Sequence, residues 1–205
     1  MPRLPYRHPM TDPRPAWPER LRRAALSTLV DDTPARIADL ATGSLNDLPV
    51  ARLLAITLGA KLDPPAREPK SLDEQLWSAL AGLCEAPLAP GSLHGPITGE
   101  YESGAIEVWT ETELACVHAA WSLGPAWQQA ACESARWLLG NIQPDNATNH
   151  PWAVHAFAKL AEETGNIEFD LYAQTLLHNC IVGQGRPDDY SALILLHASR
   201  AIQAG

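Results

Sequence analysis

No stretch of the 205-residue chain approaches the roughly 18–20 consecutive apolar residues that a membrane helix requires, so no membrane contact is expected. The N-terminus, MPRLPYRHPMTDPRPAWPER, carries arginines but no apolar segment of the kind a secretory signal needs. A cytoplasmic, soluble protein is therefore expected. Cys84, Cys116, Cys132 and Cys180 form no C-x-x-C, and their spacings match no zinc ribbon. Each falls within a helical apolar pattern, which reads as reduced core thiol. G-x-x-x-x-G-K, G-x-S-x-G, H-E-x-x-H and G-x-G-x-x-G are all missing, so phosphate-loop, hydrolase-elbow and zincin chemistry have no support. No cofactor is expected.

Apolar residues make up 46% of the chain, a globular rather than a disordered value. The length suits one domain. The formal charge of −9 is unevenly spread: residues 1–36 carry seven arginines against Asp12, Glu19, Asp31 and Asp32, a net of +3, which leaves −12 on the rest. So acidic a body repels nucleic-acid phosphates, and nucleic acid is not an expected partner.

Residues 1–17 hold Pro2, Pro5, Pro9, Pro13 and Pro15, which predicts an extended Pro/Arg-rich arm. Residues 18–205 read as a single all-α domain of antiparallel helical hairpins. Pro18 opens a first helix reaching about Leu29, and Thr33-Pro34 starts a second that Gly43 ends. Asp47 is a candidate cap for LPVARLLAITL. Ser71 with Glu74, and Thr110 with Glu113, read as two capping boxes. Between the helices these boxes open, residues 86–109 are rich in proline and glycine and read as a long loop or flap. There Ile106 and Val108 alternate with Glu107, consistent with a short hairpin. Helical patterns then continue to the C-terminus, with Asn166 and Asp188 as later caps, giving about nine helices.

Three local words repeat: VHAAW at His118, VHAFA at His155 and LHASR at His197. Their histidines are spaced by 37 and 42 residues, about one helical hairpin each. QPDN at 143–146 and RPDD at 186–189 both follow one helix and precede another. ARWLLGNIQPDN (135–146) resembles the QW-type hairpin ending of the α/α-toroid proteins, which include squalene-type terpene cyclases. Ala135, Leu138, Leu139 and Gln143 match its small–x–x–apolar–apolar–x–x–x–Gln order. Asn146 stands where that motif favours glycine, and Trp152 comes later than its tryptophan. The resemblance covers residues 110–205. It implies an incomplete toroid or short solenoid in which the helices of His118, His155 and His197 are the inner ones, lining a central cavity. The D-x-D-D acid motif of the squalene-type cyclases and the Cys-His-Gly of lanthionine cyclases are both missing.

The candidate site residues follow from these repeats. If the three histidine helices are adjacent and in register, His118, His155 and His197 converge, and such a set would suit zinc or a polar ligand. The competing reading is packing, because His118 and His197 lie on the apolar faces of their own helices, with Leu114 and Leu193 one turn earlier. Packing is favoured, and no metal is expected. CVH (116–118) and HNC (178–180) are not ligand pairs, since residues i and i+2 lie about 200° apart around a helix. Asp145 and Asp188 occupy equivalent hairpin ends, where two rim carboxylates could do acid/base work. Trp121 and Trp152 are candidates for an apolar or sugar-stacking surface, against inter-helix filling. The stretch QPDNATNHPWAVHAF (143–157) reads mainly as a joint, with Asn149 or His150 as cap and Pro151 in the first turn. The expected function is a non-catalytic scaffold binding a protein or small ligand on a concave face. The alternative is a toroid-type enzyme acting on a carbohydrate or isoprenoid-like substrate. A homo-oligomer would be one way to close the ring.

Overall fold

A computed structural model describes residues 15–91, 94–144 and 148–204. Most of the expected N-terminal arm, and Asp145 with Asn146, lie outside the described residues. Among the described residues every regular element is a helix, and there are no strands. Its helices are α1 (Trp17–Leu29), α2 (Pro34–Thr42), α3 (Pro49–Thr57), α4 (Leu72–Leu80), α5 (Ile106–Ala120), α6 (Pro125–Asn141), α7 (Val154–Thr164), α8 (Ile167–Val182) and α9 (Asp189–Ala204). None of them is long and apolar enough to cross a membrane.

The helix starts follow local chemistry. Proline sits in the first turn of α1, α2, α3 and α6, where its missing N–H costs nothing. Thr33 caps α2 by accepting from the Arg36 amide at 3.3 Å, Asn166 caps α8 through the Glu168 amide at 2.9 Å, and Asp188 accepts from the Ser191 amide at 2.7 Å at the start of α9. Asp47 does not cap α3, which Leu48 enters without a side-chain cap. Neither capping box closes. The Ser71 hydroxyl makes no cap bond, while Glu74 reaches back to the Lys70 amide at 2.8 Å and holds the Arg67 guanidinium with both oxygens. The Arg67 fork draws the Glu74 carboxylate towards the 67–70 segment, where a bidentate guanidinium–carboxylate pair is a strong bond.

The second box fails more instructively. α5 begins at Ile106, four residues before Thr110, so the expected hairpin is the exposed first turn of a helix. Glu113 is fully buried and turned away from its own helix start. Its Oε1 accepts from the Ile97 amide at 2.7 Å and from the Ser134 hydroxyl of α6. Its Oε2 accepts from the Thr98 amide at 2.8 Å and the Thr98 hydroxyl at 2.7 Å. Four donors satisfy a carboxylate that would otherwise be very costly to bury. The long loop before α5 is thereby pinned at 97–98. The Trp127 indole fixes it again by donating to the Pro87 carbonyl at 3.0 Å.

α9 carries the core. Ala192, Leu193, Ile194, Leu195 and Leu196 are all fully buried, so the middle of this helix is buried on every side. It packs against α1, α3 and α7, and its contact with α1 is the most extensive in the molecule. The last helix therefore returns to the first and the arrangement of hairpins closes. Thr28 of α1 donates to the Pro187 carbonyl just before α9, and Arg200 of α9 donates to the Leu58 carbonyl after α3 at 3.0 Å.

Candidate functional site: a buried histidine cluster beneath an acidic cleft

Residues four or seven apart on a helix differ by only about 40° or 20° in direction. Three helices use this spacing to run a stripe inward from the surface. α4 presents Asp73 and then Trp77, α5 presents Glu111, Ala115 and His118, and α9 presents Tyr190 and then His197. The outer members line one cleft, and the inner members meet in the core.

The inner cluster brings the three repeated histidines together. The His118 ring centre lies 4.2 Å from that of His155 and 5.1 Å from that of His197. Trp77 packs on His118 and His197 at 5.4 and 5.1 Å, Trp152 meets His118 edge-on at 5.3 Å, and Trp121 meets His155 at 6.1 Å. The Ala153 amide donates to His118 Nδ1 at 3.2 Å. That contact fixes the tautomer: the proton of His118 must sit on Nε2, which lies 3.0 Å from His197 Nδ1 and donates to it. His197 then carries its own proton on Nε2. Ala153 pays for its place in this chain with a left-handed backbone, φ 57°, rare for a residue with a side chain.

Burial holds His118 neutral, its pKa well below the ordinary imidazole value, with His155 and His197 adding repulsion. Burial lowers His155 to about 3, with His197 contributing, and lowers His197 to about 4, with Arg200 contributing. Both ring nitrogens of His155 are buried without a hydrogen-bond partner, as is the Trp77 indole N–H. A zinc site is not what this geometry builds. His118 has a proton on the nitrogen that faces His197, and its other nitrogen is occupied by a backbone amide. Among the described residues no three histidine, cysteine or carboxylate side chains are arranged to hold a metal ion.

Above the cluster, Trp152 and Tyr190 floor a cleft of about 540 Å³, within the range of small-ligand sites. Four carboxylates line it: Asp73, Glu111, Asp188 and Asp189. His150 lies between two of them, its Nδ1 bonded to Glu111 and its Nε2 3.9 Å from Asp188. Burial alone would lower the His150 pKa; the Glu111 hydrogen bond and the charges of Glu111 and Asp188 outweigh it, and the net shift is upward. Tyr190 stacks edge-on against His150 at 5.1 Å and Trp152 at 5.5 Å. Its phenol is held protonated by burial and by the nearby charges of Glu111, Asp73 and Asp188.

Of the residues singled out from sequence, His118, His155, His197, Trp121 and Trp152 fall in the interior cluster, and Asp188 falls at the cleft. Asp145 lies outside the described residues, so the expected pair of rim carboxylates is not placed. His150, read as a cap, is instead a cleft residue: α7 starts only at Val154, with Ala153 at its N-cap and Pro151 outside the helix. Sequence reasoning did not single out Glu111, Asp73 and Tyr190. The signal was present, since Glu111 and Tyr190 each lie seven residues before a repeated histidine.

No protein-family model matches the chain, and comparison with curated proteins and with solved structures gives no match either. The helical-hairpin architecture is what the α/α-toroid resemblance shares with this structure; no toroid or QW-motif family is matched.

Proposed function

We propose that the protein is a non-catalytic helical scaffold that holds a small ligand in the cleft between α4, α5 and the start of α9, on the concave side of a toroid-like closure of its hairpins. The observation that carries this reading is the cleft itself: a volume of ligand size over an aromatic floor, with polar groups converging from three separate helices. The rigid, fully packed cluster beneath it supplies preorganisation. The four free thiols suit a reducing, cytoplasmic setting. The test is a small-molecule fragment screen by saturation-transfer NMR on the wild-type protein and on Thr112→Trp, whose indole would fill the cleft from a partly exposed position on α5. Ligands that bind the wild type and not the variant support the reading. A screen whose hits bind both proteins equally refutes it.

A second reading rests on one observation, the Glu111–His150 pair. A carboxylate that orients an imidazole whose second nitrogen faces a cleft is an acid/base arrangement. It favours an enzyme of α/α-toroid type acting on a carbohydrate or isoprenoid-like substrate, with His150 in the proton-transferring role rather than the three buried histidines. Turnover abolished by His150→Gln with ligand affinity retained would select this reading over the scaffold.

A further inference from the structure

The inner face of α8 is buried through Phe169, Tyr172, Ala173 and Leu176. Ile167, Leu171 and Val182, spaced by four and eleven residues, share the opposite face and are 68%, 53% and 63% exposed. A stripe of exposed apolar side chains along one helix face marks an interaction surface. At the start of that face lies a hollow of about 660 Å³, larger than the acidic cleft, between the first turn of α1, the end of α7 and the start of α8. Ala161, Ile167 and Ile202 give it apolar walls. Trp17 lines it too, its indole donating to Asp170 at 3.0 Å.

The chain itself leads to this hollow. Ala16 lines it, and Pro15, one residue earlier, lines a smaller hollow of about 380 Å³ between α1 and α8. Residues 1–14 precede that point, and charge decides which of the two hollows suits them. They carry Arg3, Arg7 and Arg14 against Asp12, a net of +2. The smaller hollow is lined by Arg20 and Arg23 and, among the described residues, by no carboxylate, which disfavours a basic segment. The larger one has Glu162 and Asp170 in its lining, with Glu163 and Glu168 exposed beside them in the chain, against Lys159 alone, a net of −3. Leu4, Tyr6 and Met10 lie between the arginines and supply apolar groups to match its walls. Length is sufficient: at the extension of a Pro-rich segment, about 3.1 Å per residue, fourteen residues reach roughly 43 Å, while α8 is roughly 24 Å long.

We propose that residues 1–14 dock on the helical body of their own chain. They fill the hollow at the α7–α8 turn and continue along the Ile167 and Leu171 face of α8, with the arginines towards Glu162, Glu163, Glu168 and Asp170. The larger hollow is then an intramolecular interface, and the acidic cleft is left as the open one.

NMR on the full chain, with ¹³C-labelled isoleucine methyls, tests this. NOEs are expected from the Tyr6 ring or the Met10 methyl to the methyls of Ile167 and Ile202. The combined substitution R3E, R7E and R14E touches no described helix, so it should leave the circular dichroism unchanged while abolishing these NOEs. R3K, R7K and R14K together keep the charge and should retain them. Absence of any NOE from residues 1–14 to these methyls in the wild type overturns the docking and leaves the face to a separate partner. NOEs of undiminished intensity after charge reversal overturn the electrostatic assignment. NOEs found only between differently labelled chains in a mixed sample put a second copy's segment on the face and overturn the intramolecular one.

Discussion

Acidification from pH 7 to pH 5 is expected to destabilise this protein strongly, and the buried histidines set the magnitude. In the unfolded chain an imidazole titrates near 6.5. In the folded chain His155 and His197 stay neutral down to about 3 and about 4, and His118 also titrates well below 6.5. Each folded pKa is depressed, so the unfolded state binds more protons throughout the window between. The stability these groups confer is present above pH 6.5 and is lost as pH falls towards the folded values. At pH 5 His155 and His197 each favour the unfolded state by about 2 kcal/mol, about 4 kcal/mol together, and His118 adds to the loss in the same direction. A total stability of roughly 5–15 kcal/mol leaves little margin against that. The carboxylates held low by hydrogen bonds, Glu74 by Arg67 and Asp31 by Thr33, lose their contribution only further down, below the ordinary carboxylate range. His150 acts in the opposite sense: its raised pKa adds stability as pH falls through its folded value, offsetting part of one histidine's loss.

Urea denaturation followed by far-UV circular dichroism at pH 7, 6 and 5 measures this directly. The expected slope exceeds two protons, about 3 kcal/mol per pH unit, between pH 6 and 5. His155→Phe supplies the control. It keeps an aromatic ring in contact with Trp121 and removes two buried nitrogens that have no partner. The variant should match or exceed wild-type stability at pH 7, and its slope should fall by about one proton, close to 1.4 kcal/mol per pH unit. A stability independent of pH between 7 and 5, or a slope unchanged in His155→Phe, would refute the neutral buried cluster.

Glu113→Ala should cost about 3 kcal/mol or more, since it strands two backbone amides and two hydroxyls that the carboxylate satisfies, and it should raise hydrogen exchange at Ile97 and Thr98 ahead of the helices. The His150 imidazole, faced by Glu111 from α5 and by Asp188 and Tyr190 at the start of α9, should titrate above 6.5 by NMR; Glu111→Gln should bring it down, because burial then goes less opposed.

The helices were legible in the sequence because their signals are local. Pro34, Asn166 and Asp188 act on the turn they start, and the structure uses each as expected. The failures share one cause. Glu113 and Glu74 had the spacing of capping residues, yet each found a better partner brought by another segment: the 97–98 amides in one case, the Arg67 fork in the other. A carboxylate goes to the strongest donors available, and spacing alone does not reveal donors that arrive through the fold. The same limit governs the site. The repeat at His118, His155 and His197 marks helices that point inward, but two of the three rings pack against Trp77, which no repeat includes. One or two turns back along α4, α5 and α9, where those stripes reach water, the repeat is no longer visible. Core packing holds the inner residues to a pattern; at the mouth Asp73, Glu111 and Tyr190 are free of that demand, and their likeness lies only in where they point.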